Sequence, residues 1–197
     1  MNANDYLVVG LGNPGIQYCL NRHNVGFQIV DDLAERWGHV NFIGKWNAYV
    51  SSFSFSQKKI HLIKPQTFMN LSGNAVVQYY RFFKISPDQL LVVHDDLDMN
   101  SGRIKLVKGG GTGGHNGIRS LVDSLGTKDF YRLKIGIGRP GKGGVHPEFP
   151  VEKYVLSDFE EGERALMNSR YSVIEEGLRF FLEDTPEKAM GLLNGLK

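Results

Sequence analysis

Three short stretches carry residues whose types and neighbours suit proton exchange near neutral pH: His23, the run His94-Asp95-Asp96-Leu97-Asp98, and His115. An imidazole titrates near neutrality and suits a general base. A carboxylate behind it would hold its tautomer and stabilise its charged form. Asparagine adds a neutral donor and acceptor on one side chain, and Asn13, Asn70 and Asn116 occupy loops of the same kind. An asparagine in such a loop is commonly just a turn or cap residue. It is the gathering of all these groups that points to a site. Spacing does not separate Asp95 from Asp96 or Asp98, and no strong metal-ligand spacing joins the set.

Three other constellations compete. Gly10-Leu11-Gly12-Asn13-Pro14-Gly15 fits the dinucleotide fingerprint, with Asp31 and Asp32 downstream. A pyrophosphate, however, needs a helix that starts at the last glycine. Here Ile16–His23 intervenes, and Pro14 removes a donor from the turn. Cys19 lies four residues before His23, but nothing else there would lower a thiol pKa. A lone cysteine is more commonly a small buried hydrophobe. Gly109–Gly114 lacks the Lys-Ser/Thr ending of a nucleotide P-loop. It retains the means to form a nest of N–H groups for an anion or a substrate carbonyl.

These groups need a scaffold, and the chain reads as alternating strands and helices. Tyr6–Gly10 and Gln89–His94 are apolar runs, as in strands buried on both faces. Tyr49–Phe55 and Lys59–Lys64 read as a strand pair, and Arg103–Val107 and Tyr131–Ile137 as further strands. Helical periodicity covers Asn24–Trp37, Gly73–Lys84 and Ile118–Leu125. Arg139–Val155 is rich in Gly and Pro and reads as a loop, with Gly141–His146 a mobile gate. Asp158 and Glu161 read as a capping box that opens a helix to about Glu183, and Pro186 starts a terminal helix. The sum is an α/β fold with a twisted, mixed and largely parallel sheet flanked by helices, in one domain over residues 1–197. In such sheets ligands sit beyond the carboxyl ends of the strands, where these polar residues fall.

Composition narrows the class. Apolar residues make up 41% and charged residues 22% of 197, which excludes disordered, collagen-like and coiled-coil chains. A single cysteine excludes an internal disulfide and a cysteine-based zinc site, and fits a reducing compartment. The start lacks a signal-peptide pattern and no apolar stretch is long enough to span a bilayer, so a cytoplasmic protein is expected. A net charge of +2 is too mild to coat nucleic acid, though it allows a local basic face. Glycine is the anomaly, with 24 residues, where ordinary usage of about 7% would give roughly 14.

Six motifs in order carry a resemblance: GLGNPG at 10–15, RHNVGF at 22–27, FMNLSG at 68–73, HDDLD at 94–98, GGHNGIRS at 113–120 and RLKIGIGRP at 132–140. Together with YVLSDF at 154–159 and AMGLLN at 189–194, they resemble bacterial peptidyl-tRNA hydrolases over nearly the whole chain. The resemblance implies cleavage of the ester between a peptide and the terminal ribose of tRNA, without metal or cofactor, by a monomer. It assigns His23 as the catalytic histidine, Asp95 as its carboxylate, and Asn13, Asn70 and Asn116 as residues lining the ester and peptide site. Tyr18, Met69 and His115 match other positions around that cleft. An ester is an activated acyl group, so water and a general base suffice. Asn13 with nearby N–H groups would steady an oxyanion. Lys105, Lys108, Arg132 and Lys134 lie near the glycine clusters and are candidates for contact with tRNA phosphates. A relative that keeps the fold but only binds RNA is the alternative.

Overall fold

The computed structural model describes residues 4–141 and 146–196. Its strands are β1 (Asp5–Gly10), β2 (Ile43–Lys45), β3 (Ala48–Phe55), β4 (Lys58–Pro65), β5 (Leu90–Asp96), β6 (Ile104–Lys108) and β7 (Tyr131–Gly136). The helices are α1 (Val25–Arg36), α2 (Ser72–Phe82), α3 (Asn116–Leu125), α4 (Val151–Val155), α5 (Glu161–Glu183) and α6 (Pro186–Gly195). The sheet runs β2-β3-β4-β1-β5-β7-β6. Its central strands β4, β1, β5 and β7 are parallel, and antiparallel pairs close both edges. The sheet is mixed, as the sequence implied.

Successive side chains of a strand point to opposite faces, so the apolar central strands feed two cores. Val8, Leu62, Leu91, Val93, Leu133 and Ile135 pack with α1, α5 and α6 on one face. Leu7, Val9, Ile63, Leu90 and Val92 pack with α2 and α3 on the other. Each such aliphatic side chain stabilises the fold by roughly 1.5–3 kcal/mol when fully buried.

The approach of α1 to the sheet decides where the polar residues go. A Cβ on Gly10 would lie 2.2 Å from the Gly26 carbonyl oxygen, and one on Gly26 would lie 2.5 Å from that of Val93. Only glycine lets α1 come this close to β1 and β5. The 3₁₀ turn Arg22–Asn24 that leads into α1 is thereby laid against β5. GLGNPG thus has a packing reason. Gly15 leads only into a three-residue 3₁₀ turn, Ile16–Tyr18, and the α-helix starts at Val25, which does not fit a pyrophosphate site of the dinucleotide kind.

Some elements differ from the sequence reading. The three residues of β2 are exposed at the sheet edge, too short for any periodicity to show. The stretch expected to be loop over Arg139–Val155 contains α4, a five-residue helix whose buried Tyr154 and Val155 anchor it. The expected gate at Gly141–His146 lies mostly outside the described residues. The capping box of α5 is Glu160 with Glu163, not Asp158 with Glu161. Asp158 instead bridges to Asn21, and its carbonyl accepts from Arg22.

Candidate active site

The order of the sheet reverses at β1, whose neighbours are β4 on one side and β5 on the other. A crevice opens at such a switch point, beyond the carboxyl ends of the strands. β1 delivers Asn13, β5 delivers His94 and Asp95, the turn before α1 delivers His23, and the start of α3 delivers His115 and Asn116. Residues more than 70 positions apart therefore converge.

Asp95 is the centre. It is 3% exposed, and one of its oxygens receives two imidazoles. His23 Nδ1 lies 2.8 Å from Asp95 Oδ1, and His115 Nε2 lies 2.9 Å from the same atom. The hydrogen bonds fix both tautomers. His115 Nδ1 accepts from the backbone N–H groups of Gly117 and Ile118 at 3.1 and 3.3 Å, capping α3. Its Nε2 therefore carries the proton and donates to Asp95. The nearby histidines hold the Asp95 carboxyl far below the usual range, overriding the burial that opposes its charge. His23 in turn donates through Nδ1 and keeps Nε2 free, and it retains 12% side-chain exposure.

This separates the roles of the histidines. His115 has no free nitrogen and is not poised to act as a base. His94 is 4% exposed, its Nδ1 donates to the Asp95 carbonyl at 2.7 Å, and burial with His115 alongside pushes it down to about 3. It is neutral at any working pH. His23 alone combines a carboxylate partner with an available nitrogen.

His23, Asp95 and His115 also form a group of the type that can ligate a metal, with ligand atoms within 4.8 Å of one another. The donor set does not fit one. A metal would need the His115 Nε2 lone pair, and that tautomer would turn an Nδ1–H against the two N–H groups of α3.

Asn13 is locked in place. Its N–H donates to Asn24 Oδ1 and its carbonyl accepts from Asn24 Nδ2, both at 2.9 Å. Its own Oδ1 accepts from the Met69 N–H at 2.8 Å. That orients the amide, leaving Nδ2 as the donor available to a ligand. Met69 is buried, and its turn, which also carries Asn70, packs on α3, with the Met69 sulfur against Gly117. Asn70 and Asn116 are exposed, and Tyr18 is half-buried in a 3₁₀ turn.

A cavity of about 540 Å³ adjoins the other side of His23. It is walled by Asp95, His115, the loop Gly109–Gly114, Lys108, Lys134 and α4. Asn116 lines this cavity as well, whereas Asn13, Asn70, Met69 and Tyr18 do not. The predicted cations also divide. Lys105 is exposed and pairs in register with Lys134 across β6 and β7. Lys134 is ion-paired with Asp96, and Lys108 with Asp88. Arg132 also lines the cavity, but it is 2% exposed and its donors are on main-chain carbonyls. Its side of β7 turns in towards the glycine loop, which a strand pattern alone does not reveal.

Two residues escaped the sequence reading. Asn24 holds the Asn13 backbone, as described. Arg22 is 3% exposed and ties the His23 turn to the α4–α5 junction. It donates to Ser157 Oγ at 2.7 Å and the Asp158 carbonyl at 2.6 Å, pairs with Glu163, and stacks 4.5 Å over Tyr154. Their position on either side of His23 is the signal that was available.

Comparisons with known proteins agree with this geometry. A family profile described as peptidyl-tRNA hydrolase matches residues 7–197. A peptidyl-tRNA hydrolase of Desulfotalea psychrophila is 50% identical over 197 residues, covering 100% of both chains. One of Thermodesulfovibrio yellowstonii is 45% identical, over 96% of this chain and 99% of its own. The crystal structure of peptidyl-tRNA hydrolase from Acinetobacter baumannii superposes with a TM-score of 0.90 at 36% identity, covering 99% of this chain and 97% of that one. Fold, coverage and identity converge, and the chain belongs to the peptidyl-tRNA hydrolase family of enzymes, whose substrate is peptidyl-tRNA.

Proposed function

We propose that His23 is the general base of a metal-free ester hydrolysis. The observation that carries this reading is the fixed relay: His115 and His23 both donate to Asp95 Oδ1, and of these two His23 keeps a free nitrogen. A water beside His23 gives its proton to Nε2 while its oxygen attacks the ester carbonyl carbon. The carbonyl electron pair moves to oxygen, where the Asn13 amide donates a hydrogen bond to the oxyanion. Collapse restores the carbonyl and breaks the bond to the ribose oxygen, which takes the proton back from His23. The products are a peptide acid and tRNA with a free terminal hydroxyl. The buried Asp95 carboxylate stabilises the imidazolium formed midway. Because it is already ionised and already bonded, little reorganisation accompanies the proton transfer.

Asn70, Tyr18 and Met69 form the side that receives the peptide, and Asn116 stands on the cavity wall. Uncharged amides bind main-chain groups without reading side chains, which suits an enzyme that must accept many peptides. Lys105, Lys108 and Lys134 lie on the side of the tRNA. No helix among the described residues is long and apolar enough to cross a membrane. An exposed Cys19 thiol fits a monomer in the reducing cytoplasm.

The test is release of free tRNA from an N-blocked aminoacyl-tRNA by wild type and His23→Ala. Loss of a general base costs roughly 10²–10⁴ in rate, and the variant should retain its thermal midpoint. A rate near wild type would remove His23 from the role.

A further inference from the structure

Arg132 is a buried cation without a carboxylate partner. Its Nη1 donates to the Gly111 carbonyl at 2.7 Å, and its Nη2 to the Gly110 and Lys128 carbonyls at 3.2 Å. The guanidinium lies 4.8 Å over the Phe130 ring, and its Nε has no partner. Burying an unpaired charge is costly, and a strut for carbonyls needs only a neutral donor. The positive charge itself therefore calls for a reason.

The glycine loop above it supplies one. Gly109, Gly110, Gly113 and Gly114 all have positive φ, and at Gly110, Gly111, Gly113 and Gly114 an added Cβ would meet nothing within 4 Å. The last three φ values of that left-handed set, at 102°, 58° and 75°, demand glycine for conformation and not for space. In a trans peptide the carbonyl and the following N–H point in opposite directions. With the Gly110 and Gly111 carbonyls turned onto Arg132, the N–H groups of Gly111 and Thr112 face the other way. Neither makes a main-chain hydrogen bond among the described residues. Successive outward N–H groups in such a loop form an anion-binding concavity.

The charges on the cavity wall point to the same place. Lys108 and Lys134 each contact a carboxylate, Asp88 and Asp96. Among the described residues Arg132 is the arginine or lysine on that wall with no such contact. The loop dipoles and the charge behind them act in one direction.

We propose that the Gly110–Thr112 main chain, held N–H outward by Arg132, binds a phosphate of the tRNA acceptor end, with Arg132 as a positioning residue that never touches it. This rests on the tRNA-substrate reading and names the element that meets the nucleic acid.

The experiment measures Kd for deacylated tRNA across salt concentrations, with turnover of a phosphate-free ester, N-blocked aminoacyl-adenosine, as a parallel readout. Arg132→Gln is expected to weaken tRNA binding roughly ten-fold more than it slows the ester, with Arg132→Lys between the two proteins. The slope of log Kd against log salt should fall by about 0.7–0.9, the value for one phosphate. Gly111 has open space and a φ outside the left-handed region, so Gly111→Glu tests the site without disturbing the core. Its carboxylate should weaken tRNA binding about ten-fold more than Gly111→Ala does. Equal losses on tRNA and ester for Arg132→Gln, with an unchanged salt slope, would overturn the proposal. So would identical tRNA affinity for Gly111→Glu and Gly111→Ala. Failure of the wild type to cleave the ester or the tRNA substrate counts against the hydrolase reading instead, while the Kd comparison still decides this one.

Discussion

Among the described residues the molecule holds two buried relays of carboxylate and histidine, one of which lines the cavity described above. In the first, His23 and His115 converge on Asp95. In the other, His61 lies between Ser52 Oγ at 2.8 Å and Asp5 Oδ1 at 3.4 Å, on three neighbouring strands. By residue type the His61 relay is closer to a hydrolytic triad than the Asp95 relay is. Its surroundings decide otherwise. His61 is 0% exposed and stacks 3.7 Å from the Phe83 ring, with both nitrogens occupied. It has no free nitrogen and no room for a substrate. His23 sits beyond the strand ends with one nitrogen free. The lesson is that a proton relay becomes a candidate site where the fold leaves one atom of it unsatisfied beside open space.

The sharpest way to break this contrast is Asp95→Asn. It keeps the shape but removes the charge that both imidazoles face. The rate of tRNA release should fall roughly 10²–10⁴-fold, the scale of a lost acid–base arrangement. A rate within a few-fold of wild type would show that Asp95 merely fills space.

Acid provides the next test, because burial favours the neutral form of His61 in one relay and of His94 beside the other. Burial lowers His61, and burial with the nearby His115 lowers His94 to about 3. A histidine whose folded pKa is depressed binds its proton more readily in the unfolded chain. Stability is therefore full above the unfolded value of about 6.5 and is lost as pH falls below it, by a few kcal/mol. Asp95, also depressed, adds to the same loss below about pH 4. Denaturant midpoints at pH 7 and pH 5 should differ in favour of pH 7. Equal midpoints would mean that these histidines charge freely in the native state.

The smallest effect sharpens the description of the His61 relay. His61→Leu leaves Asp5 and Ser52 without their imidazole and should cost about 2–3 kcal/mol of stability. The hydrolytic rate measured well below the melting temperature should stay at the wild-type value. A parallel loss of rate would tie His61 to the chemistry and erase the distinction drawn above.

Legibility in the sequence followed the strength of local patterns. The apolar runs of β1 and β5 and the periodicity of α1 and α2 state their own burial, so their existence and type were readable. Short elements were not. β2 and α4 have no local signal, since they exist through pairing with β3 and through burial of Tyr154 and Val155. The start of α5 was misplaced because Glu160 and Asp158 are equally plausible caps locally. The contact of Asp158 with Asn21 and Arg22 settles the choice from more than a hundred residues away.

The candidate site divides in the same manner. Residue types and six ordered motifs were enough to assemble His23, Asp95 and the asparagines, and to name the family. Spacing did not separate Asp95 from Asp96 or Asp98. The folded chain does: Asp95 points where two imidazoles meet, while Asp96 pairs with Lys134 and Asp98 with Arg139. The same holds for the cations, which all look alike in sequence until the fold buries Arg132 and leaves Lys105 exposed. The sheet-and-helix class and the set of chemical groups are legible along the chain, because they follow from local pattern and residue type. Which histidine has a free nitrogen, which carboxylate it faces and which arginine lies beneath the glycine loop emerge only on folding. Hydrogen-bond partners and solvent access depend on residues brought together from distant parts of the chain.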